Sequence, residues 1–320
     1  MSVTTIEWTK RPGTVGETWN PTTGCNKVDR GCKNCYAEIM HKRLHAMGQA
    51  KYAAPFLDGA KPHQDTLHIP MGWTKPRTVF VNSMSDLFHK DLAFEFILEV
   101  FQVMQLTPYH TYLVLTKRPE RALEFWQWMK EKQRQESGAH GEAWRPPLNL
   151  WLGTSANDQE SANKRVPILL KIKGVLRFLS YEPATGGLDL TRIEPSVFTP
   201  TINALTGVTT FGDYVDRDHP RLHWVICGGE SGPKAVPMHP AWARRVRDDC
   251  QAAGVPFFFK QFGAWAPFTF LDAEGVPRLN FANDKKVFTF TEPGQNMIKV
   301  GKHKSGHELD GQVWQQFPTT

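Results

Sequence analysis

Long hydrophobic runs are missing from this 320-residue chain. Nothing approaches the roughly 18 apolar residues that a membrane span needs, and the run from Val255 to Phe259 ends at Lys260. A membrane protein is therefore not expected. The start, Met1-Ser2-Val3-Thr4-Thr5-Ile6-Glu7, lacks the basic and apolar regions of a secretory leader. Cysteine is scarce, five in all with three of them clustered. That pattern suits a reducing cytoplasm better than a disulfide framework. The G-x4-G-K-[ST] phosphate loop, the H-E-x-x-H helix and the G-x-S-x-G elbow are also absent, which weakens common ATPase, zinc-protease and serine-hydrolase readings. No internal repeat recurs at a fixed period, and the only biased tract is the charged, turn-rich stretch 130–147.

Hydrophobic residues at 40% and charged residues at 22% describe a globular chain. Its length suffices for an α/β barrel as a single domain. The formal net charge of +6 favours anionic partners such as nucleic acid, through phosphate neutralisation and counterion release.

Short apolar runs recur at 78–81, 111–115, 148–152, 175–179, 222–226 and 255–259, and an earlier strand is expected around 17–20. Near-continuous hydrophobicity is the mark of parallel strands covered by helices. Helical patterns lie between them. Tyr36, Ile39, Met40, Leu44 and Met47 share one face, as do Phe94, Ile97, Leu98, Phe101 and Met104. Pro119 and Pro240 suit first turns, Asn157 or Asp158 suits a cap, and Pro167 is expected to kink or divide its helix. The alternation implies repeated βαβ units, hence α/β architecture with a partial or complete (β/α) barrel, or an open doubly wound sheet. The barrel is expected to span 1–263, with 184–221 as an irregular excursion over its rim. Residues 264–320 read as a small β-rich appendix, from Trp265, Phe268 and Phe270 and the turn signals at 272–275 and 283–284.

Each apolar run ends in polar or glycine residues: Asn82-Ser83-Met84-Ser85-Asp86, Thr116-Lys117-Arg118, Gly153-Thr154-Ser155, Ser180-Tyr181-Glu182, Gly228-Gly229-Glu230-Ser231 and Lys260-Gln261. Parallel strands would gather these clusters at one rim, where α/β barrels build their sites. Polar loop ends are ordinary singly; six mixing carboxylates, amines and hydroxyls favour a functional rim.

Three cysteines, Cys25, Cys32 and Cys35, fall within eleven residues at C-x6-C-x2-C spacing. Three thiolates on one loop can hold three irons of a [4Fe–4S] cluster and leave the fourth open. The competing reading is structural zinc, with His41 or His45 as fourth ligand. No second knuckle follows, and Cys227 and Cys250 read as core thiols.

The tri-cysteine loop after a first strand resembles the radical S-adenosylmethionine (SAM) superfamily. The usual spacing there is C-x3-C-x2-C, and longer first gaps occur in outlying members. The wider pattern is similar to a phage-associated three-cysteine branch, with members in bacteriophages and bacteria. That pattern comprises Trp19-Asn20-Pro21, Cys32-Lys33-Asn34-Cys35-Tyr36-Ala37-Glu38, Ser180-Tyr181-Glu182-Pro183 and Val225-Ile226-Cys227-Gly228-Gly229-Glu230-Ser231-Gly232. The resemblance covers roughly residues 5 to 265 and the tail with Asp310-Gly311 and Trp314.

It implies a radical SAM-type barrel in which Cys25, Cys32 and Cys35 ligate three irons. The amino and carboxylate groups of SAM would chelate the fourth. An electron donor would supply the electron that cleaves the sulfonium, giving methionine and a 5′-deoxyadenosyl radical that abstracts a substrate hydrogen. The family's Gly-Gly-Glu element after the second strand is replaced here by Asn82-Ser83-Met84-Ser85-Asp86. Ser83 or Asp86 is expected at the SAM amino group, Lys117 or Arg118 at its carboxylate, and Thr154, Ser155 and Glu182 at the ribose. Glu230, Lys260 and Gln261 remain for the substrate or nucleoside, with Glu230 and Lys260 the catalytic candidates. Gly228 and Gly229 either admit a ligand or make a tight turn.

Nucleic acid or a nucleotide is the expected substrate class, for modification or repair. The basis is the net charge, Arg244, Arg245 and Arg247 on one helix, and Lys299, Lys302, His303 and Lys304. Some of the 11 tryptophans and 20 phenylalanines would serve as stacking platforms. The alternative is a zinc-stabilised nucleic-acid-binding protein without catalysis.

Overall fold

The computed structural model describes residues 4–137, 144–268, 286–291 and 294–319. Seven strands make one sheet: β1 (Val15–Trp19), β2 (Arg77–Val81), β3 (Thr111–Thr116), β4 (Leu150–Ser155), β5 (Leu176–Tyr181), β6 (Trp224–Gly228) and β7 (Phe257–Gln261). They pair in chain order, all parallel, with β1 and β7 as unclosed ends. The barrel is therefore a half-barrel, a curled parallel sheet with one side open.

Helices α1 (Tyr36–Ala46), α2 (Phe94–Leu106), α3 (Pro119–Ser137), α4 (Gln159–Leu170) and α5 (Pro240–Ala252) occupy the connections. Asp158 caps α4 by accepting the Ser161 N–H, and the Ser161 hydroxyl closes the box. Pro167 lies inside α4 without dividing it. Helix α1 departs from the expected face. Tyr36, Ile39 and Met47 are exposed while Ala37 and His41 are buried, because α1 packs on the turns Ala50–Tyr52 and Phe56–Asp58 rather than on the sheet.

Strand alternation builds two apolar layers. Tyr112, Val114, Leu150, Leu152, Leu179 and Val225 face the helices. The concave side is filled by Leu113, Trp151, Phe178, Trp224, Ile226 and Phe258, with Trp8 from the N-terminal turn Glu7–Thr9 laid among them. Position 153 faces inward between these rings. A Cβ there would sit 2.5 Å from Phe178 ring atoms, so only glycine lets the ring cross.

Two connections differ from expectation. Residues 184–221 do not pass over the rim; they replace the helix between β5 and β6. Leu188, Leu190, Ile193, Ile202 and Leu205 are buried in the outer core. Gln159 of α4 bonds to Asp189 and Arg192, while Arg245 of α5 pairs with Asp189. This connection also carries a three-stranded antiparallel sheet, Thr201–Asn203, Val208–Phe211 and Tyr214–Asp216.

Residues 264–320 are likewise not a separable appendix. They do contain an antiparallel sheet of Trp265–Phe268, Val287–Phe290 and Gln295–Lys299. Their end then returns to the barrel. Phe259 N–H donates to Trp314 O at 2.6 Å, Gln316 N–H donates to Phe257 O at 3.1 Å, and Phe317 packs on Trp224 and Phe258. An exposed sheet edge is an association hazard, and this tail covers the β7 edge. Phe270 and the turn signals at 272–275 and 283–284 lie outside the described residues, as does part of 130–147. Among the described residues no helix is long and apolar enough to cross a membrane.

Replacing Gly153 with alanine should destabilise the fold by about 1–3 kcal/mol through overpacking, read as a lower denaturant midpoint. Adding Phe178→Leu to that variant should restore part of the loss.

Candidate functional site

Five of the six polar clusters that follow the apolar runs begin on a strand; Asn82–Asp86 lies beyond one. Strands β5, β6 and β7 run two residues beyond the apolar stretch and β4 runs three, so several polar residues occupy the last strand positions. Alternation then selects which of them turn inward. Along the concave face the series reads Leu113, Leu115, Lys117; Trp151, Gly153, Ser155; Phe178, Ser180, Glu182; and Phe258, Lys260. Apolar packing below gives way to polar groups at the rim.

There they wall a cavity of about 510 Å³. Cys25, Cys32, Cys35, Ser83, Asp86, Lys117, Ser155, Glu182, Glu230 and Lys260 all border it, over a floor that includes Trp8, Phe80 and Leu115. Thr154 does not. It faces the other way, fully buried, and its hydroxyl donates to Thr116 O at 2.8 Å. Gly229 makes room for its own chain, since a Cβ would lie 2.2 Å from Phe262 O.

The cysteine loop is tied down by charge. Asp29, within the six-residue gap, receives Lys117 Nζ at 3.2 Å and Arg165 Nη2 at 2.6 Å. Arg165 also donates to Ser155 O. These partners hold the Asp29 carboxyl below its usual range although burial opposes them. At the first cysteine, Arg118 donates to Asp86 Oδ2 at 2.8 Å, to Asn26 O at 3.0 Å and to Cys25 Sγ at 3.5 Å. Buried His89 holds the Asn26 side chain at 2.7 Å. Between the second and third cysteines, Asn34 donates to Glu230 Oε1 at 3.0 Å, and the other Glu230 oxygen accepts the Val236 N–H.

Two nominated carboxylates are thereby engaged by the chain itself. Asp86 accepts from Thr116, Phe88 N–H, Lys117 N–H and Arg118, so it positions the rim and is not the expected acceptor for an amino group. Glu230 clamps the cysteine loop to the turn after β6 while it borders the cavity. On another stretch of the wall, Lys260 pairs with Glu182 at 2.7 Å and lies 4.0 Å from Glu7, which pairs with Lys302 at 3.3 Å. Burial alone would lower the Lys260 pKa; Glu182 and Glu7 outweigh it and hold the ammonium charged.

Burial pushes the Cys25 thiol up to about 11, Asp86 adds to the rise, and Arg118 opposes it. Burial also raises Cys35. Lys117 Nζ stands 3.6 Å from Cys32 Sγ. Metal ligation displaces such protons, and adjacent cations favour the thiolate. Among the described residues, no three His, Cys, Asp or Glu side chains converge on one ion. A cluster asks for something else, a separate iron at each thiolate around a shared space; three free thiols on one cavity wall fit that demand. Neither histidine nominated for zinc joins the cysteines in a group of three such side chains among the described residues, although His41 Nδ1 has no hydrogen-bond partner there. His41 Nε2 bonds to Ala54 O at 2.8 Å and His45 Nδ1 to Tyr52 O at 2.9 Å.

The arginines of α5 are not an open anion-binding stripe. Arg244 and Arg247 pair with Asp310, and Arg245 with Asp189 and Asp249. Exposed cations stand instead on the cysteine loop at Arg30 and Lys33, whereas Lys27 pairs with Glu38 at 3.1 Å.

Sequence reasoning passed over Asp29, Asn34, His89, Arg165 and Glu7; it quoted Asn82 in the cluster after β2 without a role and assigned Lys302 to nucleic acid. Only Asp29 and Asn34 carried a signal, a carboxylate and an amide placed inside the cysteine motif. The chain belongs to a protein family described as "Protein of unknown function (DUF5131)", whose family model matches residues 3–318. No curated protein and no solved structure matches it.

Asp29→Asn should cost about 1.5–3 kcal/mol at neutral pH, the scale for hydrogen bonds to charged groups. The folded-state carboxyl titrates lower than the unfolded one, so its stabilisation is complete above the unfolded value of about 4 and is lost as pH falls through the folded value. Stability curves of the two proteins, measured by denaturant titration from pH 7 downward, should therefore converge in acid.

Proposed function

We propose that this chain is a radical SAM enzyme whose [4Fe–4S] cluster is held by Cys25, Cys32 and Cys35, with nucleic acid or a nucleotide as substrate. The observation that carries this reading is that three thiols of one short loop open onto a single cavity at the C-terminal rim of a parallel half-barrel, with a cation at two of the sulfurs. When bound, the cluster and SAM supply one-electron cleavage of a sulfonium bond and hydrogen abstraction from the substrate. The chain's part is to bind, orient and exclude water. Arg118 and Lys117 stabilise thiolate charge at Cys25 and Cys32. Asp29, Asn34 and Glu230 fix the loop. Trp8, Phe80 and Leu115 give the cavity an apolar floor that keeps water from the reacting centre. Lys260, held charged between Glu182 and Glu7, is the remaining polar group suited to face substrate.

The substrate class rests on the loop cations, since α5 contributes no open guanidinium face. Tyr36, half-exposed at the cavity wall beside Lys260, adds an aromatic surface on which a base can stack.

Anaerobic reconstitution should yield brown protein with about four irons per chain, as three-thiolate ligation of one cube requires, and reduction with SAM present should release 5′-deoxyadenosine. Cys32→Ala should lose both. A colourless wild-type protein retaining one zinc would overturn the reading in favour of a structural metal site. Separately, Arg30→Glu with Lys33→Glu should weaken binding of single-stranded RNA or DNA and flatten its dependence on salt, measured by fluorescence anisotropy; an unchanged salt slope would exclude this face from nucleic-acid contact.

A further inference from the structure

Lysines without a carboxylate partner collect on one side of the cavity mouth. The stretch 229–236 after β6 runs past the cysteine loop, where Asn34 Nδ2 donates to Lys234 O at 3.2 Å. The antiparallel sheet Trp265–Phe268, Val287–Phe290 and Gln295–Lys299 is stitched to the same stretch on both sides of Lys234. Lys299 Nζ donates to Pro233 O, and Trp265 Nε1 donates to Ala235 O at 2.9 Å. Lys299 N–H donates in turn to Lys286 O at 2.9 Å. The turn Lys302–Lys304 follows on and brings Lys302 to the cavity wall. Cysteine loop, residues 229–236 and sheet thus form one continuous border.

Charge along this border is of one sign. Residues 231–239, 286–290 and 294–307 contain no aspartate or glutamate. The carboxylates at its edge are engaged, Glu230 by Asn34 and the Val236 N–H, Glu7 by Lys302. Lys234, Lys286 and Lys304 are exposed, and none has an ion-pair partner among the described residues. Unopposed like charges repel one another, and a polyanion relieves that repulsion by neutralising them. Open aromatic surface accompanies the charge. Cross-strand register puts Trp265, Lys299, Met297 and Phe288 on one sheet face. Lys299 lies over the Trp265 ring, whereas Phe288 is 42% exposed. An acidic protein surface would need the cations alone. Lysines interleaved with open rings fit phosphates and stacked bases together.

We propose that this border is the track of a single-stranded nucleic acid, which places one nucleotide in the cavity and lays flanking phosphates on Lys234, Lys286 and Lys304. The substrate is then a polymer and not a free nucleotide, and the C-terminal sheet is its second grip beside the cysteine loop. The inference rests on the substrate class read above. Fluorescence anisotropy on anaerobically reconstituted protein tests it with a labelled mononucleotide and single strands of about 4 to 16 nucleotides, the range of known single-strand sites, in RNA and DNA forms. Affinity should rise with length. Lys234→Glu with Lys286→Glu should bind the longest strand about tenfold or more weakly and lower its salt slope by about 1.4, at roughly 0.7 for each lost phosphate contact. Mononucleotide binding should not change. Phe288→Ala should weaken the strand and leave the slope alone. Equal affinity for the mononucleotide and every strand overturns the inference, as does an unchanged slope in the charge-reversed variant. Displacement by poly-L-glutamate as effective as by unlabelled strand, at equal charge, overturns it in favour of an acidic protein partner. Release of 5′-deoxyadenosine by the same preparation reports on the cofactor reading separately, so release together with length-independent binding removes this inference alone. If the wild type binds neither mononucleotide nor strand, the substrate class falls and takes this inference with it.

Discussion

A loop carrying three half-buried thiols has little reason to stay folded on its own account, since most of its backbone lies outside helix and strand. Asp29 supplies the restraint. Its carboxylate draws Lys117 from the end of β3 and Arg165 from α4 to one point, and so fixes the loop to two neighbouring βα units. Opposite charges in a partly buried corner attract far more strongly than on an open surface, provided each keeps its hydrogen bonds. Arg165 does so through Ser155 O, and Arg118 through Asp86 and Asn26 O. The six-residue gap between the first two cysteines has a physical purpose in this arrangement, because it gives the anchoring carboxylate a place between the thiols.

The same economy shows on the barrel wall. Inward positions change from apolar to polar along β3, β4, β5 and β7, so packing that stabilises the lower half also holds the rim side chains. Groups on strands are more rigidly placed than groups on loops, which suits a site that has to position a reactive centre. The open side of the half-barrel is managed by the chain's two ends. Trp8 enters the concave core near the N-terminus, and Phe317 reaches it near the C-terminus along the β7 edge. Lys302 and Glu7 follow from this, for both line the cavity only because the segments that carry them are drawn in to close the fold.

The strands, most helices and the parallel order were legible from hydrophobic runs and their spacing, as were the cysteine loop and the clusters at the strand ends. What misled was counting from the end of an apolar run. Strands continue through Thr154-Ser155 and Lys260-Gln261, and the two-residue period sends Ser155 and Lys260 inward and Thr154 outward. Neighbouring residues of similar chemistry thus had opposite fates. The basic helix α5 misled for a different reason, since Arg244 and Arg247 meet Asp310, 66 and 63 residues away, and no local pattern reveals such a partner.

Residue order by itself determined the alternation of strand and helix and the grouping of thiols, because both are local: periodicity and spacing act over a few neighbours. Only the tertiary structure decided which polar groups are engaged and which are left over. Asp86 and Glu230 look available in the sequence but accept hydrogen bonds from Thr116, Arg118 and Asn34, whereas Asn82, quoted there without a role, keeps one buried donor unmet among the described residues. Hydrogen-bond capacity is settled by partners that meet through folding, so it cannot be read before the chain has brought them together.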